Sequence, residues 1–172
     1  MNSENTNIRG IPATNGDPVA QVCLRDIERN DLPSLYEFQL DPEANQLAAT
    51  NPRSAEVFDA HWEKILQDQS VIVKAILVGD LLAGCISCFK ADGLDVVGYW
   101  LGREFWGNGV ATRALQLLLV QISIRPLYAR VAVSNVGSLR VVQKCGFSVV
   151  RHEHSPGDDR YVACEEAILI LV

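Results

Sequence analysis

The chain has 172 residues, of which 48% are apolar and 21% charged, a balance typical of one soluble globular domain and unlike a disordered or fibrous chain. Its longest charge-free apolar run, Ala114 to Ile124, is shorter than the roughly 18–20 residues that a membrane span requires. The first ten residues are polar, so we expect no signal peptide. Five scattered cysteines favour a reducing compartment, and we expect a cytoplasmic protein with no membrane partner.

Charge is distributed unevenly along the sequence. The 15 Lys and Arg residues against 21 Asp and Glu give a net charge of −6, yet residues 102–152 hold seven positive residues and one negative residue. A basic stretch within an acidic protein indicates a local site for a polyanion, with a cationic molecule binding elsewhere. Unevenly spaced surface ion pairs would produce the same count, so both interpretations stay open at this point.

The first third of the chain predicts a tail, a strand and two helices. Residues 1–18 are rich in Asn, Thr, Ser, Gly and Pro, so we expect a loosely ordered tail before a single domain over residues 19–172. Val19 to Leu24 alternates weakly and is predicted as the first strand. Two helices follow, one started by Asn30-Asp31-Leu32-Pro33 and ended by Asp41-Pro42, the other capped by Ser54 with Phe58, Trp62 and Ile65 on one face.

The rest of the chain alternates strands and helices. Gly79-Asp80 separates two β-rich runs, Val71–Val78 and Leu81–Phe89, and predicts a hairpin because Gly79 can take the positive φ of a two-residue turn. The later elements are a strand at Asp95–Leu101, a helix from Val110, a strand at Leu127–Val133, a helix from Asn135 to Gly146, and strands at Phe147–Glu153 and Tyr161–Val172. This order predicts an α/β (α+β) fold with helices on the faces of a mixed sheet.

The loop Gly102-Arg103-Glu104-Phe105-Trp106-Gly107-Asn108-Gly109 joins a strand to an amphipathic helix. Closely spaced glycines let successive backbone N–H groups point into one concavity, and the first turn of the helix adds its own unpaired donors. The amides from Trp106 through Thr112 are therefore candidate phosphate ligands. The spacing fits neither a P-loop nor a dinucleotide-binding motif, and a plain connecting turn would also account for Gly107-x-Gly109.

A second motif, Asn135-Val136-Gly137-Ser138 through Gly146-Phe147, begins one strand after the loop. Together with Gly98-Tyr99-Trp100-Leu101 and the run from Trp106 to Thr112, it resembles the GNAT superfamily of acyl-CoA-dependent N-acetyltransferases, with the RimJ/RimL-type branch as the nearest match. The resemblance extends from about Val71 to Phe147. It implies a mostly antiparallel central sheet flanked by helices, acetyl-CoA as co-substrate, no metal, and transfer of the acetyl group to a primary amine.

The resemblance also implies roles for individual residues. Asn135 would contact the cofactor, and Ser138 would lie near the thioester sulfur as a general acid, although helix capping is an alternative role for both. The other implied cofactor contacts are the backbone of Trp100 and Leu101 for the pantetheine arm and the residues Trp106, Gly107, Asn108, Gly109, Val110, Ala111 and Thr112 for the pyrophosphate.

The sequence departs from the family pattern at two positions that carry chemistry. Many members have a tyrosine acid where this chain has Val142, and relatives in this branch often have glutamate where it has Val96. Asp95 is one position away, and a regular strand would place it on the opposite face. The general base is therefore unassigned, with water linked to a distant carboxylate as one candidate.

Four other groups of residues are given structural interpretations. Cys85 and Cys88 are three positions apart in a strand, so they should face opposite sides and form neither a metal site nor a redox pair. We interpret His61 as an ordinary amphipathic-helix position near the substrate groove. The remaining candidates are His152 and His154, which lack further metal ligands, and Glu165-Glu166, read as an edge-strand charge.

The acidic surroundings of the basic stretch suggest a cationic acceptor: a protein N-terminus, a lysine, a polyamine or an aminoglycoside. We expect no nucleic-acid partner and either a monomer or a homodimer. Because the usual tyrosine and glutamate are missing, a non-catalytic acyl-CoA-binding module is the rival hypothesis. A structural α/β domain without a CoA site is the third.

Overall fold

The computed structural model describes residues 18–172, so all but the last residue of the predicted tail lies outside the described residues. Seven strands form one sheet in the order β1-β2-β3-β4-β5-β7-β6, antiparallel except where β4 meets β5. The strands are β1 (Val22–Asp26), β2 (Ile72–Val78), β3 (Leu81–Ala91), β4 (Leu94–Leu101), β5 (Leu127–Ala132), β6 (Ser148–Ser155) and β7 (Cys164–Leu171). The predicted mixed, mostly antiparallel sheet with flanking helices is confirmed.

The helices are α1 (Leu32–Gln39), α2 (Pro42–Ala48), α3 (Ala55–Gln67), α4 (Val110–Gln121) and α5 (Val136–Lys144), with short 3-10 turns at Pro18–Gln21, Arg29–Asp31 and Arg103–Phe105. Two predicted caps are observed: the Ser54 hydroxyl accepts from Val57 N at 3.3 Å, and Asn135 Oδ1 accepts from Ser138 N at 3.0 Å. None of the helices in residues 18–172 combines the length and apolar character needed to cross a bilayer.

Helix α2 is absent from the sequence-based prediction, which took Asp41-Pro42 only as the end of α1. In the structure the Asp41 side chain also accepts from Ala44 N at 2.8 Å, and Pro42 occupies the first turn of a new helix. The same dipeptide therefore ends one helix and starts another. Its placement matters because α2 lies beside the cavity described below.

The first and last strands differ from the predicted bounds, and one interpretation is wrong. Residues 18–21 form a 3-10 turn, so the first strand begins at Val22, and pairing of Asp26 with Lys74 extends it beyond Leu24. The last strand begins at Cys164, since residues 156–163 form a loop. The carboxylate of Glu166 is not an edge-strand charge, because β7 lies between β5 and β6, and it pairs with Arg130 at 2.9 Å.

Two apolar clusters pack on the two faces of the sheet. The larger one surrounds α4, with Leu115 and Leu118 fully buried, and the smaller one joins α1 and α3 through Leu35, Phe58 and Trp62. Cys88 belongs to the first cluster, whereas Cys85 packs against the second, which confirms that the two cysteines face opposite sides. Burial raises the pKa of the Cys85 thiol to about 12, so this group is inert at neutral pH.

Candidate active site

Strands β4 and β5 separate from each other in the middle of the sheet. Among residues 18–172 they share one register pair, Val96 with Tyr128, whereas pairing of β4 with β3 continues to its end, where Gly102 N donates to Ala83 O at 2.9 Å. Backbone groups alternate between the two edges of an antiparallel strand, so the N–H and C=O of Trp100 face β3. Those of Tyr99 and Leu101 face the gap left by β5.

This gap is the floor of a cavity of about 420 Å³. The cavity lies between the end of β4, the loop that follows it, α2, and the first turns of α4 and α5. It is lined by Ala44, Leu47, Ala48, Tyr99, Trp100, Leu101, Phe105, Trp106, Gly107, Gly109, Val110, Ala111, Thr112, Asn135, Gly137, Ser138, Arg140, Val141 and Lys144. Every residue predicted to bind the cofactor, except Asn108, is therefore at this one cavity.

Within the loop, Trp106 closes the end of β4. Its backbone N–H donates to Arg103 O at 3.0 Å, and its indole Nε1 donates to Leu101 O at 3.1 Å. The Trp106 amide was predicted as a phosphate donor, but this hydrogen is already bonded inside the fold. Of the groups that Leu101 presents to the gap, the carbonyl is likewise occupied by the indole. The side chain of Trp106 therefore sets the shape of the cavity wall.

The donors that face the cavity come from the start of α4. Gly107 and Gly109 have φ of 71° and 76°, the left-handed region that favours glycine, so this turn needs both residues. The first bond of the helix runs from Arg113 N to Gly109 O at 3.0 Å. The N–H groups of residues 109–112 come before that donor and have no acceptor within the helix, and the helix dipole adds partial positive charge there.

Asn108 differs from its neighbours in the loop. It is not part of the cavity lining, and its side-chain Nδ2 is buried without a hydrogen-bond partner in the part of the chain that the structure describes. Asn108, which was predicted to bind the cofactor, therefore lies outside the cavity lining, and its role stays a prediction. Its amide nitrogen keeps an unused hydrogen-bonding capacity there.

On the opposite wall, Ser138 is held by two neighbours. Its backbone N–H donates to Asn135 Oδ1, the N-cap of α5, and its hydroxyl oxygen accepts a hydrogen bond from the Tyr99 phenol at 2.9 Å. Burial raises the pKa of Tyr99 to about 12, so the phenol stays protonated and remains a donor at neutral pH. The hydroxyl hydrogen of Ser138 is then left for an acceptor in the cavity.

Tyr99, Arg140 and Lys144 line the cavity but were not singled out from the sequence. Arg140 and Lys144 are four residues apart on α5 and share one helix face. The basic composition of residues 102–152 predicts a site for an anion, but it does not predict which of the basic residues lie together in the structure. The Gly98-Tyr99-Trp100-Leu101 motif indicates that Tyr99 lies near the cofactor. It does not predict that the Tyr99 phenol bonds to Ser138.

The residues that line the cavity in the described part of the chain include no carboxylate and no histidine. Val96 and Val142 are buried core residues, 5% and 3% exposed, and Asp95 forms an ion pair with Lys90 at 3.0 Å. The two positions where relatives carry an acid or a base are therefore apolar here. The cavity can supply hydrogen-bond donors and positive charge, but none of its side chains is a strong base.

Two of the other histidines have partners outside the cavity. His154 Nδ1 lies 3.1 Å from Glu165 Oε1 on the exposed end of the β6–β7 pair. Over the described range 18–172, the His, Cys, Asp and Glu side chains form no group of three or more arranged to hold a metal ion. His61 lies on α3 with its ring against Trp62, at 6.3 Å between centroids.

Comparison with known proteins shows the family. The family model described as "Acetyltransferase (GNAT) domain" matches residues 21–148, more than half of the chain. YdaF of Bacillus subtilis (strain 168), named as a proposed ribosomal N-acetyltransferase, is 28% identical over 141 residues, which are 73% of this chain and 77% of that protein.

Solved structures show the same fold. An acetyltransferase from Salmonella typhimurium, described as modifying the N-terminal serine of the 50S ribosomal protein L7/L12, superposes with a TM-score of 0.75 at 20% identity, covering 91% of this chain and 98% of its own. A Vibrio cholerae spermidine N-acetyltransferase in complex with CoA and spermine gives 0.74 at 17% identity, covering 88% and 96%. With the family match, the resemblance of the motifs is confirmed, and the chain belongs to the GNAT family of acyl-CoA-dependent N-acetyltransferases.

Proposed function

We propose that the protein transfers the acetyl group of acetyl-CoA to a primary amine, carried by a small molecule or a protein N-terminus. The observation that carries the proposal is the meeting of three features at one cavity: the unpaired edge of β4, the first-turn amides of α4, and the Ser138 hydroxyl. The family membership gives the reaction class, and the residues of the cavity supply the detail.

The amides of residues 109–112 would hold the diphosphate of CoA, because a helix N-terminus offers several N–H donors and a favourable dipole at once. Arg140 and Lys144 would add charge from α5, on the opposite wall. The pantetheine arm would lie along β4, where the Leu101 N–H and the Tyr99 backbone groups face the gap, in the manner of an added strand. Asn135 would contribute its amide NH2, since its Oδ1 already caps α5.

The reaction forms one C–N bond and breaks one C–S bond. The neutral amine attacks the thioester carbonyl carbon, and negative charge develops on the carbonyl oxygen, where the β4 N–H groups can donate to it. The CoA thiolate leaves and takes a proton from the Ser138 hydroxyl, Tyr99 returns a proton to Ser138, and Tyr99 is reprotonated by the water that receives the proton of the amide nitrogen. The nitrogen of the new amide loses its extra proton to water, because no carboxylate or histidine of the described chain lines the cavity.

The test is turnover with acetyl-CoA and a panel of primary amines, followed by free thiol release and by the mass of the product. We expect one acetyl group on the amine for each thiol released. Because water takes the proton, the rate should rise with pH until the acceptor amine is largely deprotonated. CoA binding without transfer to any amine would support the rival hypothesis of a non-catalytic acyl-CoA-binding module instead.

A further inference from the structure

Two chain segments are joined close to the cavity. One follows α2 and the other is the loop between β6 and β7: Asn51 N donates to Arg160 O at 2.8 Å, Val162 N donates to Ala49 O at 2.8 Å, and Thr50 pairs with Tyr161. The segment after α2 continues directly from Ala48, which lines the cavity. The loop between β6 and β7 is therefore fixed at the edge of the site.

Arg160 in this loop is half-buried and incompletely satisfied. One terminal nitrogen donates to the Asn51 carbonyl, the guanidinium carbon lies 5.9 Å from the centre of the Tyr161 ring, and the Nε group is buried with no hydrogen-bond partner in residues 18–172. Asp158, whose charge acts on Arg160, accepts 2.7 Å bonds from the backbone N–H groups of Arg160 and Tyr161 through Oδ1, so its carboxylate also holds the turn. A buried N–H donor without an acceptor is costly, so this nitrogen would gain from an acceptor that the described chain does not supply.

Arg53 lies in the other segment, held by its backbone. The buried Gln39 side chain donates to Arg53 O at 2.9 Å and accepts from Arg53 N at 3.1 Å. The carbonyl of the preceding residue, Phe38, accepts a 2.9 Å hydrogen bond from the Trp100 indole N–H. Trp100 lines the cavity, so a short run of hydrogen bonds connects Arg53 to the cavity wall. The guanidinium of Arg53 is half-buried and, within the described range, forms no ion pair with a carboxylate.

Arg53 and Arg160 are close enough to repel each other. Burial is the main cause that lowers the pKa of both groups, and the charge of Arg53 adds to it at Arg160. The same two charges act on His61: burial first, then Arg53, Arg160 and Lys64, lower its pKa to about 4, so the ring is neutral at pH 7. Within residues 18–172 neither guanidinium forms a salt bridge with a carboxylate, although the charge of Asp158 acts favourably on Arg160. An anion bound between the two groups would offset their repulsion.

We propose that Arg53 and Arg160 form an anion subsite for the acceptor, so that the amine substrate carries a carboxylate or phosphate group. The inference rests on the proposed acetyl transfer and reverses the expectation of a purely cationic acceptor. Guanidinium groups bind both anions through paired N–H donors, and the Arg160 Nε supplies a donor that is already desolvated. The amine of such an acceptor would then extend from the rim towards the thioester.

The first experiment compares acceptors that share one amine and one chain length. The panel holds an ω-amino carboxylate, an ω-amino phosphonate, the neutral amide of the former, and the corresponding diamine, in series of several chain lengths. We expect kcat/KM for an acidic acceptor to exceed that of its neutral partner by about tenfold or more, mainly through KM. The carboxylate and phosphonate arms identify which anion is preferred.

The variants Arg53→Gln and Arg160→Gln should each remove most of this preference while leaving kcat/KM for the neutral amide within about twofold. The matched control is Arg125→Gln, since the exposed Arg125 also donates to a backbone carbonyl, that of Ile124, but lies in a different loop. Turnover that favours the neutral amide or the diamine, or a preference unchanged in both variants, would overturn the inference without touching the transfer reaction.

A second measurement does not depend on activity. The Nε–H resonances of arginine in 15N-labelled protein are followed during titration with sodium phosphate and, separately, sodium acetate at constant ionic strength. We expect saturable shifts for Arg53 and Arg160 and none for Arg125. If neither anion shifts either resonance, the subsite does not exist, whatever amine is acetylated. Saturable shifts in a protein that acetylates no amine would uphold the anion site and count against the proposed function.

Discussion

The phenol of Tyr99 donates a 2.9 Å hydrogen bond to the hydroxyl oxygen of Ser138, and this bond links the free end of β4 to the first turn of α5. The two residues are 39 positions apart in the chain. Because the raised pKa of Tyr99, about 12, keeps the phenol protonated, the Ser138 oxygen always has a donor at neutral pH. Ser138 can therefore give its own proton to a leaving group and be resupplied.

We expect Ser138→Ala to lower kcat by about 10- to 100-fold, at or below the lower end of general acid–base effects, because a thiolate is a good leaving group. The affinity for CoA should stay within about twofold. The cap on α5 survives, since the backbone N–H of residue 138, not its hydroxyl, bonds to Asn135. Steady-state kinetics and calorimetric titration with CoA measure the two effects, and equal losses in both would assign Ser138 a structural role.

Tyr99→Phe removes one hydroxyl and keeps the ring in the larger apolar cluster. We expect a smaller fall in kcat, about 3- to 10-fold, because Ser138 then loses its proton supply but keeps its own hydroxyl group. The double variant Tyr99→Phe/Ser138→Ala should be no slower than Ser138→Ala alone. Additive losses in this cycle would mean that the two hydroxyl groups act separately.

The first turn of α4 is tested by charge at Ala111. Gly109 is unsuitable because its φ of 76° would strain any side chain, whereas Ala111 has ordinary helical geometry and lines the cavity. We expect Ala111→Glu to weaken CoA binding by at least about tenfold more than Ala111→Gln, since the two side chains match in size and differ in charge. An acidic residue near a helix N-terminus also favours the fold. Equal CoA affinity in the two variants, by calorimetry, would exclude these amides as the diphosphate site.

The ion pair of Asp31 with Arg25 predicts a change of stability in acid. Two bonds of 2.7 Å join the side chains, and the Arg25 hydrogen bond is the main cause that lowers the pKa of Asp31. A carboxyl group whose pKa is lowered on folding contributes stability that is present above its unfolded pKa, about 3.9, and is lost as the pH falls through the folded value.

We therefore expect Asp31→Asn to cost about 1–2 kcal/mol of unfolding free energy at pH 7, a figure that allows for solvent screening at Arg25, which is 33% exposed. Below pH 4 the difference between the variant and the parent should shrink. Urea unfolding at a series of pH values measures both. Asp68→Asn is a suitable control, because Asp68 is exposed and bonds only within its own turn. A difference that is constant down to pH 2 would contradict the assignment.

His61 should titrate far below an ordinary histidine. Its pKa of about 4 means that between pH 6.5 and pH 4 the unfolded chain binds more protons at this residue, so stability falls as the pH falls through this range. NMR titration of the ring should show a neutral imidazole at pH 5.5, and His61→Gln should flatten the dependence of the unfolding free energy on pH. A ring that is half protonated near pH 6.5 would show that burial and the neighbouring arginines do not act on it.

Local features of the fold were predictable because their causes lie within one turn of chain. The turn at Gly79 and the caps at Ser54 and Asn135 each depend on neighbouring residues. The glycine loop and the α5 motif were likewise enough to indicate the family. Helix α2 was missed because Asp41-Pro42 fits both the end of one helix and the start of the next, and local chemistry does not distinguish the two.

By itself, then, the sequence determined the order of the elements other than α2, the family and its reaction class, since these follow from local geometry and motif spacing. Only the tertiary structure decided that Tyr99 bonds to Ser138, that the segment of Arg53 is joined to the loop of Arg160, and that a gap opens beside β4. Each of these depends on strand register and on the face to which a side chain turns. A register shift of one residue reverses that face, and it is set by packing across the whole sheet.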